Sequence, residues 1–350
     1  MAKDILDAVY GCLIGGAVGD ALGGPIEGWY YDEIKQKYGR LDRFIDYWNK
    51  AGQVTDDTTM RHIMCLAIAR KAGRITPDDF AQALIEKLNP KRVWVNEHMM
   101  LIKLKQGMNP WDTGRGAIPS GCASMCIAPV GIINAGNPAQ AYQDGFNISQ
   151  INEEDIDRDL SATLAAANAA AFIPGATVES VIEAMFQYSS FKAKRALELT
   201  MDLAYSSSSV DEFAAKFYAK MLDWTWPQEN WKKDRFFSGS SIEFVPVIPA
   251  LMYLCKGDPN KSIIEGANFG RDCDTIGSLV GNLVGILHGA SAIRKDWIDE
   301  CEKANEDMFE EMEGSKDANF YSMAVRLVEA LKKERQCTQE RVYLLDKILE

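Results

Sequence analysis

The chain has 350 residues, 47% of them hydrophobic and 25% charged, which is ordinary for a globular protein and enough for a substantial core. Its formal net charge of −12 disfavours a nucleic-acid duplex as partner, because an acidic surface repels phosphate backbones. Eight scattered cysteines without a CxxC pair, and only three histidines, argue against a zinc site and indicate buried thiols in a reducing cytoplasm.

The N-terminal segment is apolar and rich in glycine. Its apolar stretch from Ala8 to Val18 is cut by Asp20 and is too short to span a bilayer. A second apolar stretch, from Ile276 to Leu287, is also too short. The basic region and the cleavage site of a signal peptide are missing. We therefore expect a cytoplasmic protein that has no membrane partner.

Helix signals dominate the chain. Apolar residues recur at helical spacing from Met60 to Ile68, and Gly73 follows as a stop signal. A capping residue directly precedes a proline at positions 76–77, 137–138 and 258–259. This pattern is typical of helix N-termini, because proline fits the first helical position and the preceding side chain caps the free amides.

Strand signals are sparse by comparison. The segments 92–95 and 244–248 are short and β-branched, but proline interrupts the second. The stretch 160–172 is rich in alanine, which favours helix. We therefore predict an all-α fold, with residues 1–350 in one compact multi-helix domain and residues 310–350 as its C-terminal helical extension.

Two ladders of glycine at four-residue spacing stand out near the two ends of the chain. On a helix, this spacing places each ladder along one side. Glycine is less favourable than alanine in a helix by about 1 kcal/mol, and close approach of a second helix commonly offsets that loss. We predict that the ladders pack in the same core. They consist of Gly11, Gly15, Gly19 and Gly23, and of Gly277, Gly281, Gly285 and Gly289.

Acidic residues next to threonines occur in two distant segments, 55–59 and 272–275, each at a predicted helix start. Taken alone, each pattern is also typical of an ordinary N-terminus, where threonine caps and aspartate complements the helix dipole. However, neighbouring carboxylates repel each other, and a divalent cation relieves that repulsion. Hard cations such as magnesium prefer carboxylate and hydroxyl oxygens as ligands.

A third segment, 19–27, carries two further acids. Asp20 lies within the apolar, glycine-rich stretch, where a buried carboxylate needs hydrogen-bond partners or a metal. Glu27 follows a Gly-Gly-Pro turn and projects from a loop, either as a surface residue or into a site.

Together the three segments resemble the ADP-ribosylglycohydrolase family, which includes the dinitrogenase reductase-activating glycohydrolase and the ADP-ribose-arginine and ADP-ribose-serine hydrolases. The resemblance is carried by GCLIGGAVGDALGGPIE, TDDTTM and GRDCDTIGSLVGNLVGILHG, and it covers roughly residues 8–292. It implies a compact all-α domain with two magnesium or manganese ions. It also implies hydrolysis of a glycosidic bond in an ADP-ribosylated protein or a small-molecule substrate.

The resemblance assigns a role to particular residues of this sequence. The implied metal ligands are Thr55, Asp56, Asp57, Asp272, Asp274 and Thr275. The implied catalytic residues are Glu27, Asp56 and Asp274. The implied substrate-binding residues are Glu27, Gly121, Ser124, Met125, Gly270 and Arg271. Asp20 matches a family aspartate to which we assign a structural role.

The central segment 120–131 matches the family pattern only in part. Met125 fits that pattern, whereas Gly121 and Cys126 stand where the family commonly has asparagine and arginine. The region 153–160 lacks the histidine that family members often carry there. Two other functions therefore stay open: hydrolysis of a nucleoside or another small glycoside, and non-catalytic binding of ADP-ribose or a nucleotide.

Several further residues are candidates without an assigned role. Tryptophans between residues 223 and 231 either pack in a core or interface, or stack on a base or sugar. Trp111, Arg115 and Glu243 are candidates to line the pocket. In the C-terminal extension, apolar residues recur at helical spacing from Tyr321 to Leu331 and pack either on the same domain or on a second subunit. The sequence leaves the oligomeric state open.

Overall fold

Helices make up almost all of the regular structure, which confirms the predicted all-α fold. The computed structural model describes residues 4–47, 50–225 and 239–350. Within these ranges the only strands are Asp46–Tyr47 and Lys50–Ala51, which pair antiparallel. Single 3-10 turns occur at Gly24–Ile26, Pro90–Arg92, Ser124–Cys126 and Ala290–Ala292.

The first eleven α-helices cover the chain up to the second gap. They are α1 (Ile5–Gly23), α2 (Tyr31–Tyr38), α3 (Asp56–Lys71), α4 (Pro77–Lys87), α5 (Val95–Lys105), α6 (Ala128–Ile133), α7 (Pro138–Ser149), α8 (Asp155–Ala171), α9 (Val178–Gln187), α10 (Phe191–Tyr205) and α11 (Val210–Thr225). The later helices are α12 (Ser241–Phe244), α13 (Val247–Leu254), α14 (Pro259–Ala267), α15 (Cys273–His288), α16 (Lys295–Ala304), α17 (Glu306–Glu313) and α18 (Phe320–Leu349).

Local capping decides several helix starts, as predicted. Helices α4, α7 and α14 begin at the prolines of the three capping pairs, and in each case the side chain before the proline accepts a backbone N–H from the first turn. Helix α8 contains nearly all of the alanine-rich stretch. The weak strand signals at 92–95 and 244–248 were misleading, because both segments lie at helix or 3-10 ends.

The stop signal after α3 was predicted one residue too late. The helix ends at Lys71, and its capping residue is Ala72, whose φ of 56° lies in the left-handed region, rather than Gly73. The Ala72 amide still reaches the carbonyl of Ile68, so the cap satisfies the last turn although alanine is less suited than glycine to this conformation.

The two glycine ladders pack against each other, which confirms their predicted place in one core. A Cβ atom on Gly277 would lie 2.6 Å from the carbonyl oxygen of Gly19, and one on Gly15 would lie 3.2 Å from the carbonyl carbon of Gly281. The backbones of α1 and α15 therefore approach to a distance that only glycine permits. At its C-terminal end, the contact brings Gly23 against the backbone of Asp274.

Two buried polar side chains fix α3 against this helix pair. Asp20 accepts the backbone N–H groups of Thr55 (3.0 Å) and Thr58 (3.1 Å), which lie at the start of α3. Arg61 of α3 donates to Ser278 Oγ of α15 at 2.7 Å and to Thr58 Oγ1 at 2.9 Å. These bonds hold the N-terminal ends of α3 and α15 near the C-terminal end of α1.

The N-terminal helix lies in the interior of the protein. Among the described residues, Ile5–Ile26 is the one helical stretch with the length and apolar composition to cross a bilayer, and 78% of its most apolar window is buried in the fold. The core helix of a globular protein meets the same criteria. The glycine contacts with α15 account for its burial here.

The C-terminal helix α18 packs on its own domain with its first half. Phe320, Met323, Ala324 and Leu327 are buried, whereas Tyr321 is 49% exposed. Part of the predicted packing face therefore points outward. Apolar residues occur on two overlapping faces of this helix, and helical spacing alone did not distinguish between them.

Candidate active site

The two aspartate-rich segments meet at the N-terminal ends of α3 and α15. Thr275 Oγ1 donates to Asp57 Oδ2 at 3.4 Å, across 218 positions of sequence. Thr55 caps α3 by accepting the Asp57 amide at 3.3 Å. Asp272 occupies the N-cap position of α15, and Asp274 lies in its first turn. Two helix N-termini thus converge, and their dipoles favour the negative charge gathered there.

A third carboxylate joins this cluster from the loop after α1. Carboxylate oxygens of Glu27, Asp272 and Asp274 lie within 4.8 Å of one another. Within the described part of the chain, Asp57 Oδ1 and Asp274 Oδ1 are buried without a hydrogen-bond partner. Buried oxygens of this kind require a donor or a cation. A cluster that offers only oxygen ligands fits a hard divalent cation.

Crowding of these carboxylates raises their pKa values. Repulsion from Asp274, followed by burial, raises the pKa of Glu27 to about 9. Burial, with repulsion from Glu27, raises the pKa of Asp272 to about 8. Burial raises the pKa of Asp56 to about 7 and holds that of Asp57 well above its ordinary value. Full ionisation of these carboxyl groups is therefore unfavourable. A bound cation would reduce the repulsion between them.

A cavity of about 230 Å³ opens above the cluster. Its floor contains Glu27 and the four aspartates at positions 56, 57, 272 and 274, together with Thr275. Thr55 lies behind this floor, at the N-cap of α3. The fold thus brings together residues that the sequence separates by more than 200 positions.

The walls of the cavity include residues that had no predicted role. They are Lys91, Arg92, Val93, Trp94, Glu97, Ser120, Cys122 and Gly239. Glu97 is buried at the start of α5, and its Oε2 has no hydrogen-bond partner in the described ranges. Ser120 and Cys122 belong to the central segment, whereas Trp94 and Glu97 lie outside the sequence motifs and reach the site only through the packing of α5.

The predicted substrate-binding residues of the central segment divide into two groups. Gly121 and Met125 line the cavity. Ser124 is fully buried, and its hydroxyl lies 2.7 Å from Ser161 Oγ and 2.9 Å from Ser241 Oγ. Ser124 therefore supports the wall from behind.

Arg271 and Gly270 form a junction beside the cavity. Arg271 has a φ of 59°, which is uncommon for a residue with a side chain. Its amide donates to the Trp29 carbonyl at 2.5 Å, and its carbonyl accepts the Gly28 amide at 2.7 Å. Its guanidinium forms a buried ion pair with Glu243 and donates to Tyr30 Oη at 2.8 Å. The Arg271 side chain thus joins the Glu27 loop to α12.

The region without the family histidine lies under the central segment. Glu153 accepts the Ala123 amide and the Ser161 hydroxyl, both at 2.7 Å. Asp157 accepts the Ser241 amide at 2.8 Å, and burial raises its pKa to about 6. These two buried acids hold the central segment and the start of α12 in place.

Gly121 is matched to a neighbouring aromatic ring. A Cβ atom at this position would overlap the ring of Phe244, with Cε1 at 2.6 Å. The space that a family asparagine side chain requires is therefore filled by Phe244. Cys126, where the family has arginine, is buried with its Sγ 3.4 Å from the Cys122 carbonyl oxygen.

Other candidates lie away from the cavity or outside the described residues. Trp111 donates its indole N–H to Asp78 at 2.6 Å, and neither it nor Arg115 lines the cavity. Residues 226–238, which include most of the tryptophan-rich segment, and the side chain of Trp224 lie outside the described residues.

Comparison with known proteins identifies the family of the chain. The family model described as ADP-ribosylglycohydrolase matches residues 1–337. The chain belongs to the ADP-ribosylglycohydrolase family. The match extends beyond residue 292, where the recognisable motifs end, and includes the first half of α18.

Two curated relatives and one solved structure agree with this family assignment. YegU of Escherichia coli K12, an uncharacterized protein, is 24% identical over 314 residues, which cover 82% of this chain and 89% of YegU. The ADP-ribosyl-[dinitrogen reductase] glycohydrolase of Rhodospirillum rubrum is 25% identical over 301 residues, or 83% of this chain and 89% of the relative. A structure titled ADP-ribosylglycohydrolase-related protein complex superimposes with a TM-score of 0.64 over 95% of this chain and 99% of that one, at 18% identity.

Proposed function

We propose that this member of the ADP-ribosylglycohydrolase family hydrolyses the glycosidic bond of an ADP-ribosylated protein or a related ADP-ribose derivative. The observation that carries the proposal is the contact between Asp57 and Thr275, which unites the two aspartate segments beneath a cavity. Glu27, Asp272 and Asp274 complete an acidic floor that is suited to a cation and to a sugar with several hydroxyl groups.

Two divalent cations, magnesium or manganese, complete the proposed site. The orphaned oxygens of Asp57 and Asp274 support this part of the proposal. When bound, such ions lower the pKa of water and stabilise charge near the sugar hydroxyls. We assign them six ligands: Thr55, Asp56, Asp57, Asp272, Asp274 and Thr275.

Glu27 is the proposed proton-transfer residue. Its carboxyl group lies at the accessible edge of the floor, and repulsion from Asp274 raises its pKa to about 9 when no cation is bound. Bound cations would offset that repulsion and lower this pKa, so that Glu27 could hold or release a proton at the site. A protonated carboxyl group can donate to the leaving group, as general acids of other glycosidases do. Asp56 and Asp274 are the proposed carboxylates that orient the attacking water. Their negative charge also stabilises an oxocarbenium-like transition state.

The size of the cavity indicates which part of the substrate it encloses. A volume of about 230 Å³ is below the range of about 300–1,000 Å³ that encloses drug-sized ligands. The ribose therefore occupies the cavity, and the rest of the substrate extends past Gly121 and Met125. We propose that Ser124, Gly270 and Arg271 shape this path through the backbone and the neighbouring side chains that they hold.

A substrate panel tests the proposal. The metal-restored protein should release ADP-ribose from ADP-ribosylated arginine or serine peptides, and a chelator or the Asp274→Ala variant should abolish release. Turnover of nucleosides alone would favour a nucleoside hydrolase instead. Binding of ADP-ribose without any turnover would favour a non-catalytic binding protein, an alternative motivated by the departures at Gly121 and Cys126.

We propose a cytoplasmic location for this enzyme. All eight cysteines are free thiols and seven of them are buried, which suits a reducing compartment. The buried position of the apolar N-terminal helix is in keeping with this proposal. The proposal includes neither a membrane nor a nucleic-acid partner.

A further inference from the structure

An exposed apolar surface lies beside the mouth of the candidate active site. We call this surface the mouth patch. It consists of Trp94, Val95, Met99, Ile102 and Ile118, whose exposed fractions range from 38% to 52%. Single exposed apolar residues are common, but a group of five on neighbouring elements is typical of an interaction site.

The mouth patch is continuous with the cavity. Trp94 lines the cavity and also occupies the N-cap position of α5. Val95, Met99 and Ile102 follow at positions i, i+4 and i+7, so they share one face of that helix. Met99 and Ile118 line a common surface hollow of about 250 Å³.

A hydrogen bond connects the two parts of the mouth patch to the wall of the active site. Asn96 Nδ2 donates to Ser120 Oγ at 2.7 Å and lies 3.4 Å from the Ile118 carbonyl oxygen. Ser120 itself lines the cavity. The mouth patch thus borders the cavity at Trp94 and at the segment that leads from Ile118 to Ser120.

The surroundings of the mouth patch are basic, although the chain as a whole carries a net charge of −12. Lys91 and Arg92 line the cavity next to Trp94, and Lys103 and Lys105 lie in the last turn of α5. Glu97, the one acid within α5, is buried. The surface is therefore complementary to a partner that presents apolar side chains together with acidic ones.

We propose that the mouth patch is the docking surface for the polypeptide part of an ADP-ribosylated protein. This inference rests on the proposed function. With the ribose in the cavity, the modified residue lies at the mouth, and its sequence neighbours contact the adjoining surface. The preferred protein carries apolar and acidic residues around the modified side chain. In a free ADP-ribosylated amino acid, the amino-acid part alone is too short to extend from the cavity along α5 to Ile102.

The test compares one protein substrate with its small counterpart. The probes are a protein mono-ADP-ribosylated on arginine or serine, flanked by apolar and acidic residues, and the same ADP-ribosylated amino acid in free form. The variant Met99→Ser/Ile118→Ser removes two apolar side chains that do not line the cavity. The matched control is Ile173→Ser, because Ile173 is 40% exposed and lies outside the mouth patch.

We expect the double variant to lower kcat/KM for the modified protein by about tenfold, mainly through KM, as loss of a modest interface hot spot does. Turnover of the free amino acid should stay within about twofold of the wild type, as should both activities of the Ile173→Ser control. Equal losses on both substrates, or no loss on the protein, would overturn the docking surface and leave the proposed function intact.

Two further results would also overturn the inference. If the wild type releases ADP-ribose from neither substrate, the proposed function fails and the docking proposal fails with it. If sedimentation velocity shows a wild-type dimer that the double variant converts to a monomer, the mouth patch is an interface between two copies of the chain. The control variant should retain the wild-type sedimentation coefficient in either case.

Discussion

Arg271 and Glu243 form a buried ion pair that joins two sides of the candidate active site. Arg271 directly precedes Asp272, and its backbone is paired with the loop that carries Glu27. Glu243 belongs to α12, whose Phe244 fills the space next to Gly121. The family resemblance implies a substrate contact for Arg271, and the structure shows that its side chain also positions the site through Glu243 and Tyr30.

Replacing Arg271 by methionine should therefore impair both stability and catalysis. The substitution leaves Glu243 buried without its charge partner, which destabilises a protein by about 3–5 kcal/mol. We expect kcat to fall more than KM rises, because the loop that carries Glu27 loses its side-chain hydrogen bond from Arg271 to Tyr30. Combining Arg271→Met with Glu243→Gln should recover part of the lost stability. Denaturant unfolding and steady-state kinetics of both single variants and the double variant provide the measurement. Additive effects would contradict the proposed coupling.

The contact between the glycine ladders predicts a severe effect of a single methyl group. A Cβ atom on Gly277 would meet the backbone of Gly19 at 2.6 Å, and neither helix can yield locally. We expect Gly277→Ala to reduce the free energy of unfolding by at least about 3 kcal/mol. In the control Gly73→Ala, the new atom would meet only the flexible Glu334 carboxylate, at 3.1 Å. Chemical denaturation that found equal stability for the two variants would refute this account of the core.

The close packing of Phe244 against Gly121 predicts that a smaller residue at position 244 offsets a larger residue at position 121. Gly121→Asn restores the common family residue but overlaps the Phe244 ring. We expect this variant to raise the KM for ADP-ribosylated substrates by about tenfold, since displacement of a packed ring costs about 1–3 kcal/mol. Adding Phe244→Leu should return KM toward the wild-type value. If the second substitution worsens the defect, the two residues do not share the space in the way that the structure indicates.

The buried Asp157 predicts a pH-dependent stability. Its folded-state pKa of about 6 lies above the ordinary value of an aspartate. The stabilisation that the protonated carboxyl group adds to the free energy of unfolding is therefore fully present below about pH 4 and is lost as the pH rises through 6. Asp157→Asn removes this titration. The stability of the variant relative to the wild type should therefore increase between pH 4 and pH 7, by up to about 3 kcal/mol. Urea unfolding at several pH values measures the difference, and a difference that is constant with pH would contradict the assigned cause.

Local sequence predicted the parts of the fold that local physics decides. The capping pairs placed the starts of α4, α7 and α14, because a side-chain cap and a proline act within one turn. The ladders that contain Gly19 and Gly277 indicated close helix packing, because glycine at four-residue spacing lowers helix stability unless a second helix packs closely along that side. The all-α fold followed from these signals.

The walls of the cavity were beyond such prediction. Glu97 and Trp94 reach the site only because α5 packs beside α4, and no local sequence pattern predicts that packing. The side-chain partners of Arg271 and Ser124 could not be predicted for a similar reason, because they lie more than 25 positions away in sequence. The exposed part of α18 shows the limit of periodicity, because its apolar residues cover two faces.

The central claim is that the aspartates of α3 and α15 bind divalent cations together. Calorimetric titration of the chelated protein with Mn²⁺ tests it most directly, with Asp57→Asn and Asp274→Asn as variants and Asp78→Asn, an exposed aspartate of α4, as control. We predict about two ions bound per wild-type and control chain, and loss of at least one ion or about 10–100-fold weaker binding in each site variant. Equal stoichiometry and affinity in all four proteins would contradict the account.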